Sequence, residues 1–303
     1  MNKQSKTTSL VSIIMNCHNG EAFLYESVKS ILGQTYKNWE LIFWDNFSTD
    51  NSKQILKRFS DDRIKYFKAS RFTTLYEARN LAMAKSEGDF ISFLDVDDWW
   101  VPQKLELQIK YFQNYEVGLV YSKYFVFNEK NKKKKIISKK DLPQGYIANQ
   151  LLEDYKMGVI TVIFRKELLN RFNLNFNSQY NIIGDFDFNI KLSQRVKCAC
   201  VQKPLAFYRV HGENYSLKNL DEEVKELEHW TKNQILSNLQ NEKSLKKIKN
   251  IILYKKIFGD ICQNNRLLAV KKILKYPNNF LKLKLIVLLI SPISLLRRLN
   301  LIF

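Results

Sequence analysis

Apolar residues recur along the first 130 positions with two alternating periods. Leu10 to Met15 is an apolar run broken only by Ser12, and it empties into Asn16-Cys17-His18-Asn19-Gly20, the pattern of a buried strand followed by a turn. Phe23, Leu24, Val28, Ile31 and Leu32 follow at helical spacing. Trp39 to Trp44 predicts a second strand, ended by Asp45-Asn46-Phe47-Ser48-Thr49-Asp50. A helix capped by Ser48 or Asp50 then carries Ile55, Leu56 and Phe59 on one side. Arg63 to Phe67 predicts a third strand, and Thr73 to Lys85 a helix with Leu75, Ala78, Leu81 and Ala82 on one side. Phe90 to Leu94 predicts a fourth strand, which runs directly into Asp95-Val96-Asp97-Asp98.

Strand and helix alternating at this spacing imply right-handed crossovers and a Rossmann-like α/β fold, with a mainly parallel central sheet flanked by helices. In such sheets ligands lie beyond the carboxyl ends of the strands. Three of those ends carry polar clusters: 16–20, 45–50 and 95–98. Further on, Val117 to Asn128 predicts two short strands, and Glu129 to Lys140 a solvated, lysine-rich hairpin tip. Gly158 to Phe164 predicts a strand, Gly184 to Gln194 a helix, and Leu205 to Val210 a last strand. After Ser216 only helical patterning remains, so the chain is expected to divide into an α/β domain of residues 1–215 and a helical extension of 216–303.

Of the 303 residues, 45% are hydrophobic and 26% charged, which excludes a disordered or low-complexity chain. Four cysteines exclude a disulfide-stapled secreted module. The segment Met1 to Ser9 is polar, without the apolar region of a secretory signal, and the expectation is a cytoplasmic chain with reduced thiols. Charge changes the picture more. The net charge is +19, but Thr231 to Phe303 alone holds 15 Lys/Arg against two acids, so +13 belongs to the tail. A nucleic-acid partner is not expected, because tail aromatics are too sparse for a stacking surface. Leu285 to Leu296 is apolar but only twelve residues long, contains Pro292, and is flanked by Lys282, Lys284, Arg297 and Arg298. It is too short to span a bilayer, which needs about 20 residues. A helix near 281–298 lying in an anionic membrane interface, or docked on the protein's own core, suits it.

Asp95, Asp97 and Asp98 are three acids at the end of a buried strand, where like charges are costly without a cation. A hard divalent ion such as Mg²⁺ or Mn²⁺ takes one or two carboxylates and completes its shell with phosphate oxygens and water. A solvated turn that caps the helix after Pro102 is the alternative. No Gly-x-Gly-x-x-Gly or phosphate-loop Lys motif is present, which excludes dinucleotide oxidoreductases and P-loop kinases. Cys198-Ala199-Cys200 is too closely spaced for a zinc knuckle. Trp99-Trp100 suits either an acceptor-stacking platform or the core.

Met15-Asn16-Cys17-His18-Asn19, Trp44 to Asp50, Ala78-Arg79-Asn80 and Phe93 to Asp98, in that order, resemble the signature of the family 2 glycosyltransferases over roughly residues 9 to 215. The resemblance implies the GT-A fold, a nucleotide-sugar donor, most simply a UDP-sugar, and transfer of a hexosyl or N-acetylhexosaminyl group to a glycan or lipid-linked glycan. It places the nucleoside at Asn16, Asn19, Asp45 and Asn46, where an acid or amide can accept a pyrimidine N3–H. The family's Asp-Asp-Gly is Asp45-Asn46-Phe47 here, so either Asp45 or Asn46 meets the base. Arg79 matches an Arg near the pyrophosphate, and Asp95-Val96-Asp97 the DxD metal motif, with Asp97 as direct ligand and Asp95 nearer the ribose or the sugar. Gly184-Asp185-Phe186-Asp187 matches the general-base position of inverting members, with Gly184 in place of the usual Glu and Asp185 or Asp187 as the base. Tyr208-Arg209-Val210-His211 resembles the late segment that closes over the diphosphate, which assigns Arg209 to the donor and His211 to the metal or a phosphate. His18 reads as a bystander. A setting on the inner face of the cytoplasmic membrane follows from the acceptor class.

Overall fold

The computed structural model describes residues 9–236 and 242–292. The first half forms β1 (Val11–Cys17), α1 (Leu24–Leu32), β2 (Trp39–Asp45), α2 (Ser52–Leu56), β3 (Ile64–Lys68), α3 (Leu75–Met83) and β4 (Phe90–Phe93). These four strands pair in parallel in the order β3-β2-β1-β4. Every residue of β1, β2 and β4 is buried, which is why they read as mostly apolar runs with few polar interruptions. The amphipathic α1 buries Leu24, Val28 and Ile31. In α3, Thr74 caps the helix by accepting from the Glu77 N–H at 3.3 Å.

The second half widens the sheet with mixed pairing. It contributes β5 (Trp99–Trp100), α4 (Lys104–Ile109), β6 (Val117–Asn128), β7 (Lys133–Ile136), α5 (Ala148–Glu153), β8 (Ile163–Arg165), α6 (Glu167–Arg171), α7 (Gly184–Ser193) and β9 (Lys197–Val210). The order becomes β3-β2-β1-β4-β8-β6-β9-β5, with β7 on β6. β8 is antiparallel to both β4 and β6, and β6 and β9 run parallel.

Four local expectations change here. Val117 to Asn128 is one strand of 12 residues, continued through by pairing with β8, β7 and β9. Part of the lysine-rich segment is an arm: Lys133–Ile136 pairs back onto β6, and Lys132 turns with φ 56°. Between Gly158 and Phe164 a 3₁₀ turn over Val159–Thr161 leaves only a short strand. The last strand begins at Lys197, not Leu205, and carries Pro204, which lacks a ladder N–H. The β6/β9 register shifts on both sides of the Lys123–Pro204 pair.

The chain forms two compact units, one of residues up to Leu151 with Tyr155–Val210, the other of Leu152–Asp154 with the chain from His211 onward. The second unit holds α8 (Tyr215–Lys218), α9 (Leu220–Leu236), α10 (Glu242–Cys262), α11 (Arg266–Lys275) and α12 (Phe280–Ile290). Ile257, Ile261, Ala269, Ile273, Tyr276, Leu285 and Leu288 from α10, α11, α12 and the turn between the last two make its own small core. No described helix is long and apolar enough to cross a membrane. Residues 293–298 of the expected interfacial segment lie outside the described residues.

Candidate active site

The polar clusters after β1, β2 and β4 meet at one end of the sheet. The loops after β1 and β2 are stitched together by backbone and side-chain hydrogen bonds: the Asn46 N–H donates to the Cys17 carbonyl at 2.7 Å, and Gly20 N–H to Ser52 Oγ at 3.0 Å. Asn19, in the left-handed region at φ 53°, accepts from the Thr49 N–H at 2.9 Å, and its own N–H donates to Ser48 Oγ. The Ser27 hydroxyl of α1 donates to the carbonyls of Val96 and Asp98, tying the acidic turn to the same loops. A Cβ on Gly20 would come within 3.0 Å of the Val96 side chain, so glycine permits that close approach.

At the end of β2, Asp45 is buried, with Oδ1 accepting from the Ser48 N–H at 2.8 Å and Oδ2 from the Tyr66 hydroxyl at 2.6 Å. Asn46 is engaged on both sides by Thr73: its Nδ2 donates to the Thr73 carbonyl, and its Oδ1 accepts from the Thr73 N–H and hydroxyl. Of the two residues expected at the base, Asn46 is therefore the more fully bonded. Asn16 is buried with no partner for Nδ2 among the described residues, and its register partner Trp44 has none for Nε1. Two unpartnered donors side by side at the strand ends suit a ligand that brings acceptors. His18 donates from Nδ1 to the Asn46 carbonyl and packs on Phe72, a scaffold role.

A second cluster centres on Arg79. Its buried guanidinium donates to Asp95 Oδ1 at 2.6 Å and lies over the rings of Tyr76, Phe93 and Phe176. Burial disfavours its charge, but Asp95, Tyr76 and Asp185 together hold its pKa above the ordinary range. The Tyr76 hydroxyl donates to the Ile182 carbonyl at 2.7 Å and reaches Asp185 Oδ1 at 3.2 Å. Burial raises the Asp185 pKa, opposed by Arg79, the Phe186 N–H and Tyr76. Tyr124 and Tyr155 are also close enough for Asp185 to raise their pKa values, after burial. Asp95, Arg79 and Asp185, far apart in sequence, thus share one site. Asp187 is buried on α7 and paired with Lys191 at 2.6 Å.

Gly184 explains a departure noted in the sequence. A Cβ there would sit 2.5 Å from Tyr76 Cδ2 and 2.6 Å from Cε2. The Tyr76 ring occupies the space a larger residue's side chain would need. Sequence reading missed Tyr76; the usable signal was the missing side chain at 184, which requires something bulky opposite.

Arg209, expected at the diphosphate, is buried with its donors engaged elsewhere. Its N–H donates to Asp98 Oδ1 and its Nε to the Asp97 carbonyl, both at 2.7 Å, and its terminal nitrogens pair with Glu26 and Glu129. Phe23 and Trp99 flank it, with ring centroids 4.6 and 4.4 Å away. It acts as a clamp on the acidic turn. Trp100 is core, with Nε1 donating to the Ile160 carbonyl, while half-buried Trp99 stacks on Phe207.

The acidic turn fits a divalent cation. Asp98 is buried with Oδ2 unpartnered among the described residues, and burial, then Asp97 and Asp95, push its carboxyl far above the usual range. The neighbouring carboxylates at 95 and 97 suit a hard ion that draws its other ligands from phosphate and water. Among the described residues no three His, Cys, Asp or Glu side chains converge as a ready-made cage. His211 begins the second unit, where its N–H donates to Asn214 Oδ1 and its Nδ1 accepts from the Glu213 N–H.

Known proteins place this geometry. Residues 12–184 match the model of "Glycosyl transferase family 2". The chain is 38% identical over 167 residues to "UDP-Glc:alpha-D-GlcNAc-diphosphoundecaprenol beta-1,3-glucosyltransferase WfgD" of Escherichia coli, covering 55% of this chain and 64% of that protein. It is 39% identical over 117 residues to the E. coli enzyme WfaP, of the same description, covering 39% and 47%. The match thus spans less than two thirds of each relative's length. Among solved structures, S. aureus TarS 1–349 superposes with a TM-score of 0.59 at 16% identity, over 81% of this chain and 71% of that one. Mannosyltransferase PcManGT from Pyrobaculum calidifontis, in complex with GDP-Man and Mn²⁺, superposes at 0.56 and 15%, over 88% and 74%. These likenesses give the fold, a GT-A glycosyltransferase fold with a helical C-terminal part. The chain belongs to glycosyl transferase family 2.

Proposed function

We propose that this protein transfers a sugar from a UDP-sugar to a lipid-linked glycan, with inversion and with Asp185 as the general base, at the cytoplasmic face of the membrane. The observation that carries the reading is Arg79, set between Asp95 and Asp185 at the ligand end of the sheet. In the reaction an acceptor hydroxyl gives its proton to the Asp185 carboxylate as its oxygen attacks the anomeric carbon. The bond from that carbon to the diphosphate oxygen breaks, and its electron pair leaves with UDP. A base whose pKa is raised toward neutrality by burial is better matched to that proton transfer than a solvated carboxylate. Arg79 supplies fixed positive charge beside the developing diphosphate.

Asp97 and Asp95 would hold a divalent cation, Mg²⁺ or Mn²⁺, whose chemistry when bound is neutralisation of diphosphate charge. Asn16 and Asp45 would hold the nucleoside, helped by the orphaned donors at the strand ends. Support for the donor and acceptor comes from the names of WfgD and WfaP, which specify UDP-Glc and a GlcNAc-diphosphoundecaprenol acceptor. A TarS complex with UDP-GlcNAc shares the fold.

Calorimetric titration of UDP with and without Mn²⁺ tests the donor site. Metal-dependent binding that is lost in Asp97→Ala is expected; intact metal-linked affinity in that variant would remove Asp97 as ligand. Asp185→Asn should keep UDP binding and lose turnover by about 10²–10⁴-fold. Full activity would move the base elsewhere. Release of pyrophosphate instead of UDP would replace the reading with nucleotidyl transfer.

A further inference from the structure

The last two described helices of the second unit carry an apolar surface with no partner among the described residues. α11 and α12 bury one side each: Ala269 and Ile273 of α11, and Leu285 and Leu288 of α12, enter the small core built on Ile257 and Ile261. Their other sides are also apolar. On α11, Leu267 is 84% exposed and Leu274 74%, with Val270 exposed between them. The spacing 267, 270, 274 is one helical stripe. On α12, Phe280 is 78% exposed and Ile290 71%, and Leu283 and Val287 are exposed too, giving a stripe at 280, 283, 287 and 290. A water-facing helix surface is normally polar, and exposed apolar residues in contiguous stripes mark an interaction surface.

Charge decides what the surface fits. Neither α11 nor α12 contains an Asp or Glu, while Lys271, Lys272, Lys275, Lys282 and Lys284 are interleaved with the stripes. Among the described residues, only Lys272 of these forms an ion pair, with Asp260 at 2.7 Å. A protein partner with an apolar groove would not require such one-sided charge. An anionic bilayer does: acyl chains take the apolar side chains, and headgroup phosphates take lysines at the rim. The pair is also built as a unit. Arg266, at the start of α11, donates to the carbonyls of Leu289 and Ser291 at the end of α12, at 2.7 and 2.8 Å.

We infer that α11 and α12 form a two-helix anchor that lies in the interface of an anionic lipid bilayer. The sequence pattern pointed to the segment near 281–298 alone; the structure adds α11, whose stripe is hidden in sequence because lysines interrupt it. This deepens the membrane-side reading given above, and its test uses no substrate, so its failure leaves the transfer chemistry standing.

The experiment is flotation of the full chain with vesicles of phosphatidylcholine alone, or with 30 mol% phosphatidylglycerol, about that fraction being enough to set up the surface potential. The protein should float with the anionic vesicles and stay behind with neutral ones. Leu267→Glu/Leu274→Glu and Phe280→Glu/Ile290→Glu, each at highly exposed positions, should each reduce binding at least tenfold with an unchanged melting temperature. Lys271→Gln/Lys275→Gln/Lys284→Gln should lose the anionic preference while leaving the fold intact. Equal flotation of the Leu267→Glu/Leu274→Glu variant would remove α11 from the anchor and overturn the inference. So would loss of all binding on deleting 293–303 with both stripes intact. A wild-type dimer by light scattering that the stripe variants abolish, without vesicle binding, would make a second copy the occupant and also overturn it.

Discussion

Asp185 and Tyr76 show what one residue contributes to a site it does not obviously belong to. The Tyr76 hydroxyl has a single proton, shared between the Ile182 carbonyl and Asp185 Oδ1. The hydrogen bond to Asp185 favours the charged carboxylate and so opposes the upward push of burial. In Tyr76→Phe the Asp185 pKa should rise further. A base must be deprotonated to act, so the acid limb of the kcat/KM profile should move to higher pH while UDP affinity stays unchanged. Gly184→Ala tests the packing behind this. Alanine is favoured over glycine in a helix by about 1 kcal/mol. Against that, the new Cβ would lie 2.5 Å from the Tyr76 ring, and overpacking costs about 1–3 kcal/mol. A net loss of stability and of turnover, read by melting temperature and kcat, is expected. The places of Asn16, Asp45 and Asp95 at the strand ends were legible because polar residues after apolar runs stand out. The clamp role of Arg209 was not, because Glu26 and Glu129 lie on other elements.

At the scale of elements, burial on both faces made β1, β2 and β4 readable as apolar runs, whereas β5 and β8, at two and three residues, carry too little pattern to register. Helix α4 contains the least expected core residue. Lys104 is fully buried; its Nζ reaches Ser92 Oγ at 3.1 Å and lies 4.0 Å from the centre of the Trp100 ring, with no ion pair among the described residues. Burial pushes its pKa well below the usual lysine value. The unfolded chain therefore binds the proton more strongly than the folded one. Stability should rise with pH between the folded and unfolded pKa values, and the full cost is present below the folded one. Lys104→Met should stabilise the protein by about 1–2 kcal/mol at neutral pH, roughly 2–8 °C in melting temperature for a unit of this size. That advantage should shrink as pH approaches 10, which denaturation series at pH 7 and 9.5 would show.

For the molecule as a whole, two cores matter more than one net charge. The first unit contains Trp39, Trp44, Trp99 and Trp100, and the second only Trp230. Because each unit buries its own apolar cluster, urea unfolding should not be a single transition. Tryptophan fluorescence should follow the first unit, and far-UV dichroism should weight the helices of the second. Coincident curves would show that the two units unfold as one. Charge was fully legible in sequence, since +13 in the tail needs only counting.

The sequence by itself determined the α/β order, the three polar strand ends, the basic helical tail and the family, because each is a local pattern of spacing and residue type. Tertiary structure alone decided which acids share a site, that Tyr76 fills the space beside Gly184, that Arg209 clamps rather than faces outward, and that α11 exposes its leucines. Those are facts about neighbours brought together by sheet pairing and helix packing, and no window along one chain contains both members of such a pair.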